Sequence, residues 1–350
     1  MSLNWDILTE IMSFLDCEDA SRMSRTCHIL LRAAPRILLS RGECESVTRH
    51  KPWQFLSFCQ FMFSGRHNGF QYLTRLMLSP NRQLFYMPQL GKLMADILVQ
   101  ATELRLFKLH DCKILDIDNR AGCAFTNLEK LRTLQISSFT DGTFVLLKKM
   151  KAPLTGIDAN FTRLRRLIDP VPVFARFKGS LRAMDVVGVA FHSTEIQYPR
   201  VLSLSTNLDD ATELERIALC FPNLQDFYMH IYPNGYTVED VEENRLSNLA
   251  LQTRSTWPSL RRLSSTVLEL YMLGIRCSVG YVDVARQSLS SAVDGRRLAA
   301  ILTDVRPTSL SIRLRIPRFD PLSLAVYLAP IKGRLAELEL TLEYDWCMDP

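Results

Sequence analysis

After residue 70 a short segment of the form L-x-x-L-x-[apolar] returns ten times, and this recurrence limits the fold more than any other feature of the 350 residues. It reads YLTRLMLS, ATELRLFKL, KLRTLQISSF, PLTGIDA, SLRAMDVVG, PRVLSLS, NLQDFYMHI, SLRRLSS, PTSLSIRLRI and RLAELELTL, anchored at 73, 101, 131, 154, 181, 199, 224, 260, 307 and 335. Most spacings lie between about 22 and 30 residues, the range in which one supersecondary unit repeats along a solenoid. The 47-residue gap from 260 to 307 has room for a degenerate copy near SVGYVDV.

Helix-like stretches lie between the anchors: MPQLGKLMADILVQ, GTFVLLKKM, ATELERIALCF, VEDVEENRLSNLALQT, DGRRLAAILTDV and PLSLAVYLAPI. A strand followed by a helix, repeated, closes right-handed and parallel because the crossover packs back on the sheet in only one way. The expectation is an α/β curved solenoid with parallel strands inside and helices outside. Aligning the final two segments on their anchors pairs Leu310 with Leu338, Ile312 with Leu340 and Leu314 with Leu342 on the core face. Ser311, Arg313 and Arg315 then lie beside Glu339, Thr341 and Glu343, a charge arrangement that suits neighbouring strands.

The first 40 residues differ. They read as short helices, and from Trp5 to Leu15 the apolar residues fall on two overlapping rows, Trp5/Leu8/Met12/Leu15 and Ile7/Ile11/Phe14. That is more apolar circumference than one core-facing stripe requires. Asp16 suits the N-cap of a second helix, with Glu18 and Asp19 in its first turn. Ala20, Met23, Cys27 and Leu31 continue that helix as a single stripe. Residues 41–70 read as a charged connector, RGECESVTRHK, a buried helix opening at Pro52, PWQFLSFCQFMF, and a turn, SGRHNG.

With 47% hydrophobic and 23% charged residues the chain has the composition of a folded globular protein, and its formal net charge of +5 does not nominate nucleic acid as a partner. The N-terminus has no signal-peptide pattern, and no segment approaches the roughly 18 uninterrupted apolar residues of a membrane span. Nine scattered cysteines without a CxxC pair predict reduced thiols and a cytoplasmic or nuclear protein. No GxSxG, GxGxxG, P-loop or HExxH pattern is present, so neither catalytic residues nor a cofactor is expected. His110, Cys112 and Cys123 are too few and too scattered for structural zinc.

The N-terminal segment LNWDILTEIMSFL, followed by DCEDA and SRMSRTC, together with the repeats, resembles the F-box proteins that carry a leucine-rich-repeat substrate domain. The wording LNWDIL and MSRTCH is most like members from filamentous and mushroom-forming fungi. The F-box resemblance covers residues 3 to about 40; the family's proline after the first leucine is Asn4 here, and the Asn/Cys ladder position of regular repeats is not consistently filled. The resemblance implies an F-box at 1–40, a helical linker at 41–70 and a divergent leucine-rich-repeat domain at 71–350. It further implies a substrate-recognition adaptor of a Skp1-cullin-F-box type ubiquitin ligase. Leu3, Asn4, Ile7, Leu8, Glu10, Ile11, Phe14 and Leu15 would dock a Skp1-type protein, through it a cullin-RING ligase, and the repeats would bind an unidentified protein target. Burying the six apolar members of that set would contribute a gross term of about 10 kcal/mol before association costs.

A repeat scaffold that binds protein without any link to ubiquitin is the alternative. Arg163, Arg165, Arg166, Arg261, Arg262, Arg296, Arg297, Arg313 and Arg315 would either line a basic concave face for an acidic or phosphorylated target or, more simply, be paired with neighbouring acids. The sequence stops at EYDWCMDP directly after a strand-like segment, which points to a truncated chain or to an end covered by something else.

Overall fold

A computed structural model describes residues 4–40, 63, 69–78, 90–164, 166–208, 214–229, 237–252, 256–284, 288–316 and 321–344. The buried helix and turn expected at 52–69 fall, apart from Phe63 and Gly69, outside the described residues. The chain forms two compact units, Met1–Leu164 and Arg165–Pro350.

The first unit opens with helices α1 (Trp5–Phe14), α2 (Cys17–Ser24) and α3 (His28–Ser40). Four parallel strands follow in chain order: β1 (Arg75–Leu78), β2 (Leu106–Leu109), β3 (Thr133–Ser137) and β4 (Gly156–Asn160). Helices α4 (Leu90–Gln100), α5 (Lys113–Ile117), α6 (Asn119–Thr126) and α7 (Asp141–Lys149) connect them. Leu76, Phe107, Leu134 and Ile157 stand side by side across the sheet, as do Leu78, Leu109, Ile136 and Ala159, and all eight are buried. Phe139 stacks on Phe161 at 4.2 Å beyond the strand ends.

The second unit repeats the plan with seven parallel strands in chain order. They are β5 (Ala183–Val189), β6 (Ser203–Leu208), β7 (Asp226–Met229), β8 (Ser259–Ser264), β9 (Ser278–Asp283), β10 (Ser309–Ile316) and β11 (Glu337–Tyr344). Its helices are α8 (Pro170–Val173), α9 (Leu214–Cys220), α10 (Val238–Leu251), α11 (Val267–Leu273), α12 (Ala292–Val305) and α13 (Pro321–Tyr327). One core row runs Met184, Leu204, Phe227, Leu263, Val282, Leu310, Leu338.

These rows place the strands where the sequence pattern put them, including β9 in the long gap at SVGYVDV. Two anchors shift. The residue equivalent to Leu73 and Leu131 in the segment leading into β2 is Leu104 rather than residue 101, and before β6 it is Val201 rather than residue 199, because the paired positions are Leu76, Phe107 and Leu134 in one unit and Met184 and Leu204 in the other. Both side chains are buried. The register of β10 on β11 is the one expected, Leu310 on Leu338 through Arg315 on Glu343.

Helix starts follow local chemistry. Thr140, Thr237 and Thr266 each cap a helix in a reciprocal box with Thr143, Asp240 and Glu269, and Ser291 caps α12 by accepting from the Asp294 N–H. The turns beyond the strands are closed by a different group in each case. The Cys112 thiol faces the Ser137 carbonyl, the Asn207 side chain accepts from the Gly188 N–H at 2.7 Å, and the Ser265 hydroxyl donates to the Met229 carbonyl at 2.7 Å. Gly188 has φ of 76° at a register break between Val186 and Val189, where a side chain would be strained. Among the described residues no helix is long and apolar enough to cross a membrane.

Equivalent positions in the ladder have unequal burial, which gives a direct check. Leu310 is 0% exposed and Leu338, its neighbour on β11, is 42% exposed. Leu310→Ala should cost about 2–5 kcal/mol in urea unfolding, and Leu338→Ala less than half of that.

Candidate partner-binding site

Asn4 starts α1 by accepting from the Asp6 N–H at 3.0 Å, a bond that a proline at this position has no side chain to make. Leu15 ends the helix in extended geometry and Asp16 caps α2 through the Asp19 N–H at 2.8 Å, as its position in the sequence predicts. The hydroxyls of Ser24 and Thr26 then donate to the carbonyls of Ser21 and Met23, competing with the helical ladder and ending α2. The expected continuous stripe from Ala20 to Leu31 is therefore broken. Ala20 is buried, but Leu31 belongs to α3 and is exposed.

The two apolar rows of α1 separate cleanly. At about 100° per residue Leu8, Met12 and Leu15 share one face, and Ile7, Ile11 and Phe14 share another. Met12 is 0% exposed in a small core with Ala20, Leu30 and Ala34, against which Leu8, Leu15, Met23, Cys27 and Ile37 pack. Ile7 and Ile11 are exposed, and Phe14 is 81% exposed. Trp5, grouped by sequence with the inner row, is 43% exposed at the start of the helix.

The third face of α1 is polar. Asp6, Thr9, Glu10 and Ser13 line an open cleft of about 650 Å³ that also receives Arg32 and Arg36 from α3, with Ile29, Pro35 and Tyr72. Of the sequence-predicted docking residues, Asn4, Ile7, Glu10, Ile11 and Phe14 are exposed, Leu8 and Leu15 are partly buried in the helical core, and Leu3 lies outside the described residues. Ile29 and Leu31 of α3 are also exposed, Ile29 at the polar cleft, and Leu31 was missed because its spacing from Cys27 assigned it to an inward stripe.

Three of the candidate arginines are engaged with acids of neighbouring strands. Arg261 bonds Asp226, with Nε to Oδ1 at 2.9 Å, Arg262 bonds Asp283 at 3.0 Å, and Arg313 bonds Glu343 at 3.2 Å. Arg262 also lies between the rings of Tyr228 and Tyr281, at 5.4 and 4.9 Å from their centroids, and Arg297 lies over Tyr271 at 5.7 Å. Arg165 is outside the described residues. Arg261, Arg262 and Arg313 are thus each paired with a carboxylate on a neighbouring strand, as the simpler of the two expectations has it for these three.

His110 and Cys112 face Ser137, with His110 Nδ1 3.3 Å from the serine hydroxyl, whereas Cys123 is exposed on α6. Among the described residues no group of three or more His, Cys, Asp or Glu side chains is placed to hold a metal ion. Burial pushes the thiols of Cys112 and Cys220 up to about 12 and that of Cys277 up to about 11.

No protein-family model matches the chain, and no curated protein matches it significantly.

A raised thiol pKa means less thiolate at any pH below it, and the thiolate is the nucleophile. Iodoacetamide at pH 8 should therefore modify Cys123 and leave Cys112, Cys220 and Cys277 unmodified until the chain is denatured, read residue by residue by mass spectrometry. In the helical unit, Met12→Ala should lower stability by about 2–5 kcal/mol, Ile11→Ala by less than about 1 kcal/mol, and Asn4→Ala by about 0.5–2 kcal/mol in thermal unfolding.

Proposed function

We propose that this chain is a substrate-recruiting adaptor, with the N-terminal helical unit docking a Skp1-type protein of a cullin-RING ubiquitin ligase and the strand-helix ladder binding the protein to be modified. The observation that carries the reading is the outer row of α1. A helix that already buries Leu8, Met12 and Leu15 keeps Ile7, Ile11 and Phe14 in solvent, and a partner surface is where such a row loses its cost. The chain contributes binding and no chemistry of its own. Asn4 supplies the cap of the docking helix in place of the proline usual in the resembled motif.

Magnitudes set the extent of the interface. Full burial of an aliphatic or aromatic side chain contributes about 1.5–3 kcal/mol, so covering the remaining exposed parts of Ile7, Ile11 and Phe14 supplies a gross term of about 3–5 kcal/mol. A submicromolar complex needs more than about 8 kcal/mol net of association costs. Docking by this row therefore needs a partner that covers more than these three side chains, and the exposed Trp5 and Glu10 on the same helix are within its reach.

A pull-down with a purified Skp1-type protein should retain the intact chain and lose it for Ile7→Asp combined with Ile11→Asp. Both substituted positions are exposed, so the variant should keep the thermal unfolding midpoint of the parent within a few degrees. Failure of the intact chain to bind would instead favour a repeat scaffold with no link to ubiquitin.

A further inference from the structure

The net positive charge of the chain is unevenly placed. The first unit holds 21 basic and 15 acidic residues, the second 21 and 22. Within the first unit a basic group gathers where the strands begin. Thr74, Arg105, Arg132 and Thr155 follow one another across the sheet, the Arg132 N–H donating to the Arg105 carbonyl at 2.8 Å, so two arginines stand on adjacent strands about 4.8 Å apart. Arg75 on β1 and Lys108 on β2 lie beside them, alternating with the buried Leu76, Phe107 and Leu109 and therefore on the strand face opposite the core. Arg75, Arg105 and Arg132 are exposed, and Lys108 is partly exposed.

Among the described residues none of the four forms a salt bridge: Glu103 is taken by Lys130, Glu129 is exposed in the turn before β3, and Asp158 stands two strands from Lys108. The residues of this unit outside the described ones hold two acids, Glu43 and Glu45, and five bases, so they add to the excess. The second unit fills the same rung differently. There Arg182 and Arg261 are separated by Leu202 and Gln225, and Arg261 is bonded to Asp226. Like charges side by side on a sheet cost stability until an anion lies between them, and guanidinium groups take carboxylate or phosphate oxygens in pairs.

We propose that Arg75, Arg105, Lys108 and Arg132 form a docking surface for an acidic segment of the target protein, one that carries two or three carboxylates or phosphates within a few consecutive residues. The length follows from geometry: β1 to β3 spans two strand spacings, about 10 Å, which an extended chain covers in about three residues. Nucleic acid is the poorer fit, because the positions beside the basic groups are Met77, Leu106, Thr133 and Gln135, with no aromatic ring on which a base would stack. The assignment rests on the ladder's part in the proposed function, target binding, and not on docking by α1.

The test is fluorescence anisotropy on the full-length protein with no Skp1-type protein present, so that failure here and failure of docking by α1 are read separately. The probes are a fluorescein-labelled hexaglutamate peptide, a peptide with phosphoserine at alternate positions, and a single-stranded thymidine oligonucleotide. Saturable 1:1 binding of an acidic peptide is expected, weakened at least about tenfold by Arg105→Glu combined with Arg132→Glu, and weakened by salt. Lys113→Glu combined with Lys149→Glu makes the same charge change on α5 and α7 and should leave binding within about twofold. All four substituted side chains are exposed, so both variants should keep the parent unfolding temperature within a few degrees. The peptide that binds more tightly names the source of the anion, and either preference supports the proposal. No saturable binding of either peptide, equal loss in the two double variants, or tighter binding of the oligonucleotide would each overturn it. So would a gain of about tenfold on Glu43→Gln combined with Glu45→Gln, by making the chain's own acids the occupant.

Discussion

Each strand in this chain has one apolar row that must be kept from water, and no single repeat is able to cover its own. Leu134 is buried with Phe107 and Ile157 on either side of it, and Leu310 is buried between Val282 and Leu338. Stability in such a ladder is a sum over neighbouring contacts, which is why the apolar positions of each L-x-x-L recur while the residues between vary. The requirement is for an apolar residue, so Val201, Val279 and Met184 satisfy it as well as leucine does.

The same physics exposes the places where covering is incomplete. On α1 the inner row of Leu8, Met12 and Leu15 completes the helical core and leaves Ile7, Ile11 and Phe14 over. On β11, Leu338, Leu340 and Leu342 are less covered than Leu310, Ile312 and Leu314 of β10. The surface of α1 is an aliphatic and aromatic ridge beside a polar cleft.

Strand positions were legible because parallel pairing demands one apolar residue at a fixed place in each repeat, and the match of Leu310 with Leu338 could be read by alignment alone. Residues 101 and 199 were poor anchors because ATELRLFKL and PRVLSLS each hold several candidate apolar residues, and only pairing distinguishes them. Helix α11 escaped notice although Thr266 and Glu269 form the S/T-x-x-E signature that precedes a helix; the run after it was too short to show a period. Leu31 was misassigned because the stripe through Ala20, Met23 and Cys27 has helical spacing across the real break at Thr26. Pairing of Arg261, Arg262 and Arg313 depends on residues 21 to 35 apart in sequence, information that no local pattern contains. Exposure of Phe14 was likewise invisible in isolation, since two apolar rows on one helix do not say which faces inward.

The central claim is that the outer row of α1 contacts a Skp1-type protein. The most direct measurement places a photocrosslinking benzoyl group at Phe14, in the exposed row, and a matched control at Val326, which is 70% exposed on α13. Irradiation with the Skp1-type protein should give a covalent adduct from position 14 and none from position 326. No adduct from position 14, or equal yields from the two positions, would contradict the claim.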